Sequence, residues 1–265
     1  MKCSALGSIA IMLLCLSLNT ASAGESVIPS TQENNTERFT SLVRSAVTSY
    51  TLALQELGVT RKHPIKIKLS NSVSDYESHA KGYVIQYPDQ QARWTNGLAY
   101  LDADTLMIKA IPPYDQVELQ RRVWHEMTHS LQYDLSGGNS ERARPWLAEG
   151  MAGLFTFLAG GNGEADSIKQ WRAELKRKLQ ASGSRLTPVE LVDIDNFNWD
   201  ILSEESNGAN YAVADLILLD FYETNGAASI PRLAAYYDCL AHGLTPEKSC
   251  YVDKLGGPQA MLERR

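Results

Sequence analysis

His125-Glu126-Met127-Thr128-His129 puts two imidazoles four residues apart, with a carboxylate directly after the first. On a helix, side chains at i and i+4 point the same way one turn apart, so this pair can grip one metal ion. Glu126 lies at the flank of that face, within reach of a water beside the metal. Imidazole nitrogens suit Zn2+, and a zinc site with one open position activates water to cut amide bonds. Iron or cobalt fit the same ligand types, with one zinc ion preferred. Glu126 and His129 also spell the E-x-x-H of di-iron helical proteins. That site needs a second E-x-x-H on another helix, and no other histidine here has a glutamate three residues before it.

A catalytic zinc takes three protein ligands. From Pro145 to Gly163 the only charged residue is Glu149. A helix so apolar is buried on most faces, and an ionised carboxylate there costs several kcal/mol unless a cation or several donors meet it. Zinc would meet it, which makes Glu149 the candidate third ligand. Gly150 and Gly153 would let this helix approach the histidine helix closely. Pairing with Arg142 or Arg144, or exposure at the helix start, would also accommodate Glu149. With these parts, Glu126 is the general base that takes a proton from water and hands it to the departing amine. Charge building on the carbonyl oxygen needs a donor, and Tyr211, at the head of a later apolar helix, is the candidate among twelve tyrosines.

The elements that must position these residues follow from periodicity. Phe39, Leu42, Val43, Ala46, Tyr50, Ala53, Leu54 and Leu57 mark an amphipathic helix ending near Gly58. Ile65 to Leu69 alternates as a strand, Ser72 to Ala80 reads as a short helix, and Gly82 to Tyr87 as a second strand. Turn signals at Asn96-Gly97 and Asp102 to Asp104 bracket Leu98 to Leu101, and a further strand covers Leu106 to Ile111. After Pro112-Pro113 a D-x-x-E pair, Asp115 and Glu118, opens a helix to about Leu135, with Val123, Met127 and Leu131 toward the core. Helices follow over 145–159, 165–181, 211–224 and 230–240, with a capping box at Thr187 to Glu190 and a short helix after Pro258. Sheet first and helices after make this an α+β chain.

His125 to Gln132, Trp146-Leu147-Ala148-Glu149-Gly150-Met151-Ala152, and Tyr211 to Gly226 together resemble the peptidase MA-like branch of the gluzincin metallopeptidases. The resemblance spans Ile65 to the C-terminus. It implies a zincin-like fold, with a small N-terminal mixed-sheet lobe, a mostly helical C-terminal lobe and an active-site cleft between. It also implies zinc, Glu149 as third ligand, and Tyr211 near the cleft. In such folds an edge strand pairs with the extended substrate, and Asn96 to Tyr100 resembles that strand by its place. In thermolysin-like gluzincins an aspartate four residues after the glutamate ligand steadies a zinc histidine. Gly153 stands there in this chain, so the partner of His125 or His129 is unassigned, with Asp215 a candidate.

Residues 1–23 read as a signal peptide: Lys2, an apolar run from Ala5 to Leu18, and a small-x-small site at Ala21-Ser22-Ala23. The apolar run is shorter than the ~20 residues that span a bilayer. The expectation is therefore secretion or periplasmic export without stable membrane insertion. Residues 24–37 read as a flexible polar lead-in and 38–265 as the peptidase domain. Without Lys2, 24 Lys and Arg face 31 Asp and Glu, a net charge of −7, which argues against nucleic acid as a partner. Cys239 and Cys250 remain after cleavage, and an even pair in an exported chain reads as a disulfide. The partner expected is a peptide or protein substrate. The competing function is a metal- or peptide-binding module of the cell envelope that keeps the fold without turnover. Glu126 weighs against it, because such a module needs no base.

Overall fold

The computed structural model describes residues 26–28, 33–70, 72–80, 97–100, 105–109, 115–192, 194, 196–206, 208–242 and 247–257. The signal peptide expected over residues 1–23, the strand expected over Gly82 to Tyr87 and the helix expected after Pro258 lie outside them. The chain is α+β. Among the described residues four strands, β1 (Ser26–Ile28), β2 (Lys66–Ser70), β3 (Gly97–Tyr100) and β4 (Thr105–Lys109), form one mixed sheet in the order β1-β2-β4-β3. β1 and β4 flank β2 in parallel, and β3 runs antiparallel to β4 with Leu98 opposite Met107. Ile65, Ile67 and Leu69 face inward as the alternation requires. On β4, Leu106, Met107 and Ile108 are all fully buried, so both faces of this inner strand are covered.

The stretch 24–37, read as a flexible lead-in, contributes β1, and helix α1 (Glu33–Glu56) begins within it. A parallel edge strand is held by backbone hydrogen bonds to β2, which no apolar period announces.

α2 (Val73–Ala80) follows β2, and α3 (Gln116–Leu135) carries the histidine pair. The Asp115 side chain caps α3 by accepting from the N–H groups of Val117 and Glu118, while Glu118 pairs with Arg122 rather than closing a reciprocal box. Then come α4 (Pro145–Ala159), α5 (Ala165–Ser182), α6 (Pro188–Val192), α7 (Asn196–Glu205), α8 (Ala209–Asn225), α9 (Ser229–Ala241) and α10 (Glu247–Leu255). At α6 the capping box forms, Glu190 Oε2 accepting from Thr187 N and Oγ1 at 2.7 Å each. α7 and α10 were not expected. Trp199 buries α7 against the core, and a Cys239–Cys250 disulfide ties α10 to α9.

One cluster of buried side chains runs from Ile67 and Leu106 of the sheet through Val123, Met127 and Leu131 of α3 to α4, α8 and α9. α4 packs closely on α8: a Cβ at Gly150 would lie 2.6 Å from the carbonyl oxygen of Ala214. Among the described residues no helix is long and apolar enough to cross a membrane.

Candidate metal centre

With Val123, Met127 and Leu131 sealed in the core, the neighbouring stripe of α3 turns His125 and His129 toward α4. The helix is clamped from behind by α1. Trp124 Nε1 donates to Ala46 O at 2.8 Å, and Thr128 Oγ1 donates to Trp124 O at 2.9 Å while sharing a hydrogen bond with the Tyr50 hydroxyl. Burial holds the Tyr50 phenol above its ordinary range, so it stays neutral.

His125, His129 and Glu149 meet in front of this clamp. His125 Nε2 lies 3.2 Å from His129 Nε2 and 3.2 Å from Glu149 Oε2, and the third edge, His129 Nε2 to Glu149 Oε2, is 3.5 Å. Ligands at the usual zinc distances of about 2.0–2.2 Å in a tetrahedron lie about 3.3–3.5 Å apart, so these atoms form one face of a coordination tetrahedron. The donor set fits a divalent metal ion, and the cluster can hold one. Arg142 and Arg144, the other partners open to Glu149, are engaged elsewhere: Arg142 donates to Leu240 O at 2.7 Å and Arg144 pairs with Glu247 at 3.3 Å.

The protonation of His129 follows from its neighbours. Gln132 Nε2 donates to Ala148 O at 2.8 Å, which turns Gln132 Oε1 toward His129 Nδ1 at 3.0 Å. Nδ1 therefore carries a proton and Nε2 faces the site. Gln132 is a residue that the sequence reading missed, although its i+3 spacing from His129 was visible. Burial alone would depress His129, but the charge of Glu149 and its hydrogen bond lift it to about 9. Burial alone would raise Glu149, but His129 and His125 hold it well below the usual carboxylate range. Glu126 is buried beside the triad, and burial raises its carboxyl above the usual range against the opposing charges of His125 and His129.

Asp215 and Tyr237 feel the charges of the triad, and Tyr211 shares a cavity with Asp215. A Cβ at Gly153 would lie 1.8 Å from Asp215 Oδ1, so the carboxylate of α8 occupies the space that a side chain at 153 would fill. Burial pushes Asp215 up to about 7, against the opposing charges of His125 and Lys178. Tyr211 stands one turn earlier on α8, 39 % exposed, its ring edge-on to Trp199 at 5.4 Å. It lines the same cavity as Asp215. The fully buried Tyr237 hydroxyl lacks a hydrogen-bond partner among the described residues and lies close enough to Glu149 for that charge to help raise its pKa, after burial itself. Nothing local in the sequence singles out Tyr237.

Three residues expected as metal ligands thus converge, with the buried Glu126 next to His125 in the chain. Comparisons with family models, curated proteins and solved structures returned no match for this chain.

Proposed function

We propose that this chain is an exported zinc-dependent peptidase of zincin-like, gluzincin type. The observation that carries the proposal is the triangle of His125, His129 and Glu149, with edges of 3.2, 3.2 and 3.5 Å, beside the buried Glu126. A bound zinc supplies a Lewis acid that acidifies water and polarises a scissile carbonyl. Glu126 accepts the proton released as water attacks and returns it to the departing amine. Its raised proton affinity suits a group that must hold that proton between the two steps. Gln132 keeps the His129 ring in the tautomer whose Nε2 faces the site. Tyr211, exposed at the head of α8, is the donor for charge on the carbonyl oxygen.

Among the described strands β3 lies at the edge of the sheet, and it runs beside α3, which suits pairing with an extended peptide backbone. The apolar N-terminal segment and the disulfide agree with an oxidising compartment outside the cytoplasm.

The test compares the chain lacking residues 1–23 with its Glu126→Gln variant, counting bound zinc and assaying a mixed peptide library. Near-equal zinc with cleavage lost in the variant is expected. Equal inactivity of the two proteins, each with zinc bound, would leave a binding module instead.

A further inference from the structure

We propose that the cavity lined by Asp215, between α5 and α8, receives a lysine or arginine side chain of the substrate, with Asp215 as its anionic floor. This rests on the peptidase reading above and names the substrate class that the reading leaves open. The cavity, about 370 Å³, lies between α5 and the first turns of α8. Leu175, Ala209, Ala212 and Tyr211 give it apolar wall surface, alongside Lys178 and Ser182. Such walls suit a methylene stem, while the floor suits a cationic head.

Apart from Glu126, the proposed base, Asp215 differs from the other inward-facing acids in its lack of a partner among the described residues. Asp134 accepts from His63 and from the Lys62 N–H, Glu247 meets Arg144 and Tyr236, and Glu149 meets both histidines. Among the described residues no hydrogen bond or ion pair reaches the Asp215 carboxylate. A half-buried carboxylate without donors carries a desolvation cost, and a cation arriving through the cavity offsets it. Lys178, on the cavity wall, does not fill this role. Its ammonium pairs with Glu174 at 3.2 Å on the helix surface, and its side chain is 62 % exposed.

The position suits a side chain next to the bond being cut. Asp215 Oδ1 sits against Gly153, one helical turn past Glu149 and so about 6 Å along α4 from that ligand. The charges of His125, Lys178 and Glu149 all act on Asp215. A lysine or arginine side chain spans a comparable length, so its backbone can lie at the metal while its head reaches the acid. Gly153 is what allows this arrangement, since any side chain there would displace the carboxylate.

The experiment uses acetylated peptide pairs that differ only in lysine or norleucine at one position flanking the cleaved bond. In the zinc-loaded wild type, kcat/KM for the lysine peptide should exceed that for norleucine by about tenfold or more. The ratio should fall to near one in Asp215→Asn, with zinc content unchanged. Ala181→Trp, at an exposed position on the rim, should shrink the ratio without touching the acid. A wild-type ratio near one would overturn the proposal. So would an Asp215→Asn protein that loses zinc and slows equally on both peptides, because Asp215 would then act through His125. Binding of the same labelled peptides to Glu126→Gln, read by fluorescence anisotropy, separates this proposal from the peptidase reading. A lysine preference there that depends on Asp215 supports the pocket even if the wild type cleaves nothing. Equal binding of the two peptides overturns it.

Discussion

Zinc binding to this protein should be a competition with a proton, and His129 sets its terms. Without metal, the Glu149 carboxylate lifts His129 to about 9 from an ordinary value of 6.5. Below about pH 9 the ring therefore carries a second proton that zinc must expel. Each unit of pH below that value weakens apparent affinity tenfold through this one group. Between pH 9, where the ring is half protonated, and pH 7 the loss is about 50-fold, or ~2 kcal/mol. An unperturbed histidine would change affinity by less than about twofold over the same window. The assay is competition with a chromophoric chelator whose own pH dependence is known, at half-unit steps from pH 6.5 to 9.5. Calorimetry in buffers of different ionisation enthalpy should show about one proton released by this group per zinc at pH 7.5. The same shift has a consequence for the metal-free fold. A raised histidine stabilises fully below 6.5, and that contribution, about 3 kcal/mol, is lost as pH rises through 9. His129 and Glu149 are one pair, so the contribution is counted once. Zinc affinity that stays flat from pH 7 to 9 would refute the reasoning, since it would mean no proton bridges the ligands.

Other perturbations separate the parts of the account. Gln132→Met removes the acceptor that orients His129 and should weaken zinc binding about 10- to 100-fold in a chelator titration; a change below twofold would show that Gln132 does not hold the tautomer. Gly150→Ala drives a Cβ to 2.6 Å from the backbone oxygen of Ala214 and should cost roughly 1–3 kcal/mol or more in denaturant unfolding. Stability at or above wild type would contradict the close α4–α8 approach. Replacing Cys239 and Cys250 together by serine should cost about 3 kcal/mol, the chain-entropy value for so short a loop, and an unchanged midpoint would mean α10 is held by packing alone.

The parts of the site legible in the sequence were those written in local spacing or local contrast. The i, i+4 histidines needed only helical geometry, and Glu149 stood out as the one charge in an apolar helix. The strand from Lys66, the cap at Asp115 and the helix opening at Pro145 were likewise local signals. What escaped depends on contacts between elements distant in the chain. β1 is specified by a neighbouring strand rather than by its own pattern. α10 is a nine-residue helix tied by a disulfide, and helices so short draw their stability from tertiary contacts. Gln132 gains its meaning only once Ala148 is beside it, and the absent side chain at 153 is explained only by Asp215 arriving from α8.

X-ray absorption at the zinc edge of the loaded protein tests the central claim most directly, that two imidazoles and the residue-149 carboxylate hold one ion and leave room for water. The predicted spectrum shows two histidine nitrogens and light-atom neighbours at about 2.0–2.1 Å in four-coordination, with loss of the bound zinc in Glu149→Ala. A shell with sulfur or without imidazole, or an unchanged spectrum at full zinc occupancy in Glu149→Ala, would contradict it.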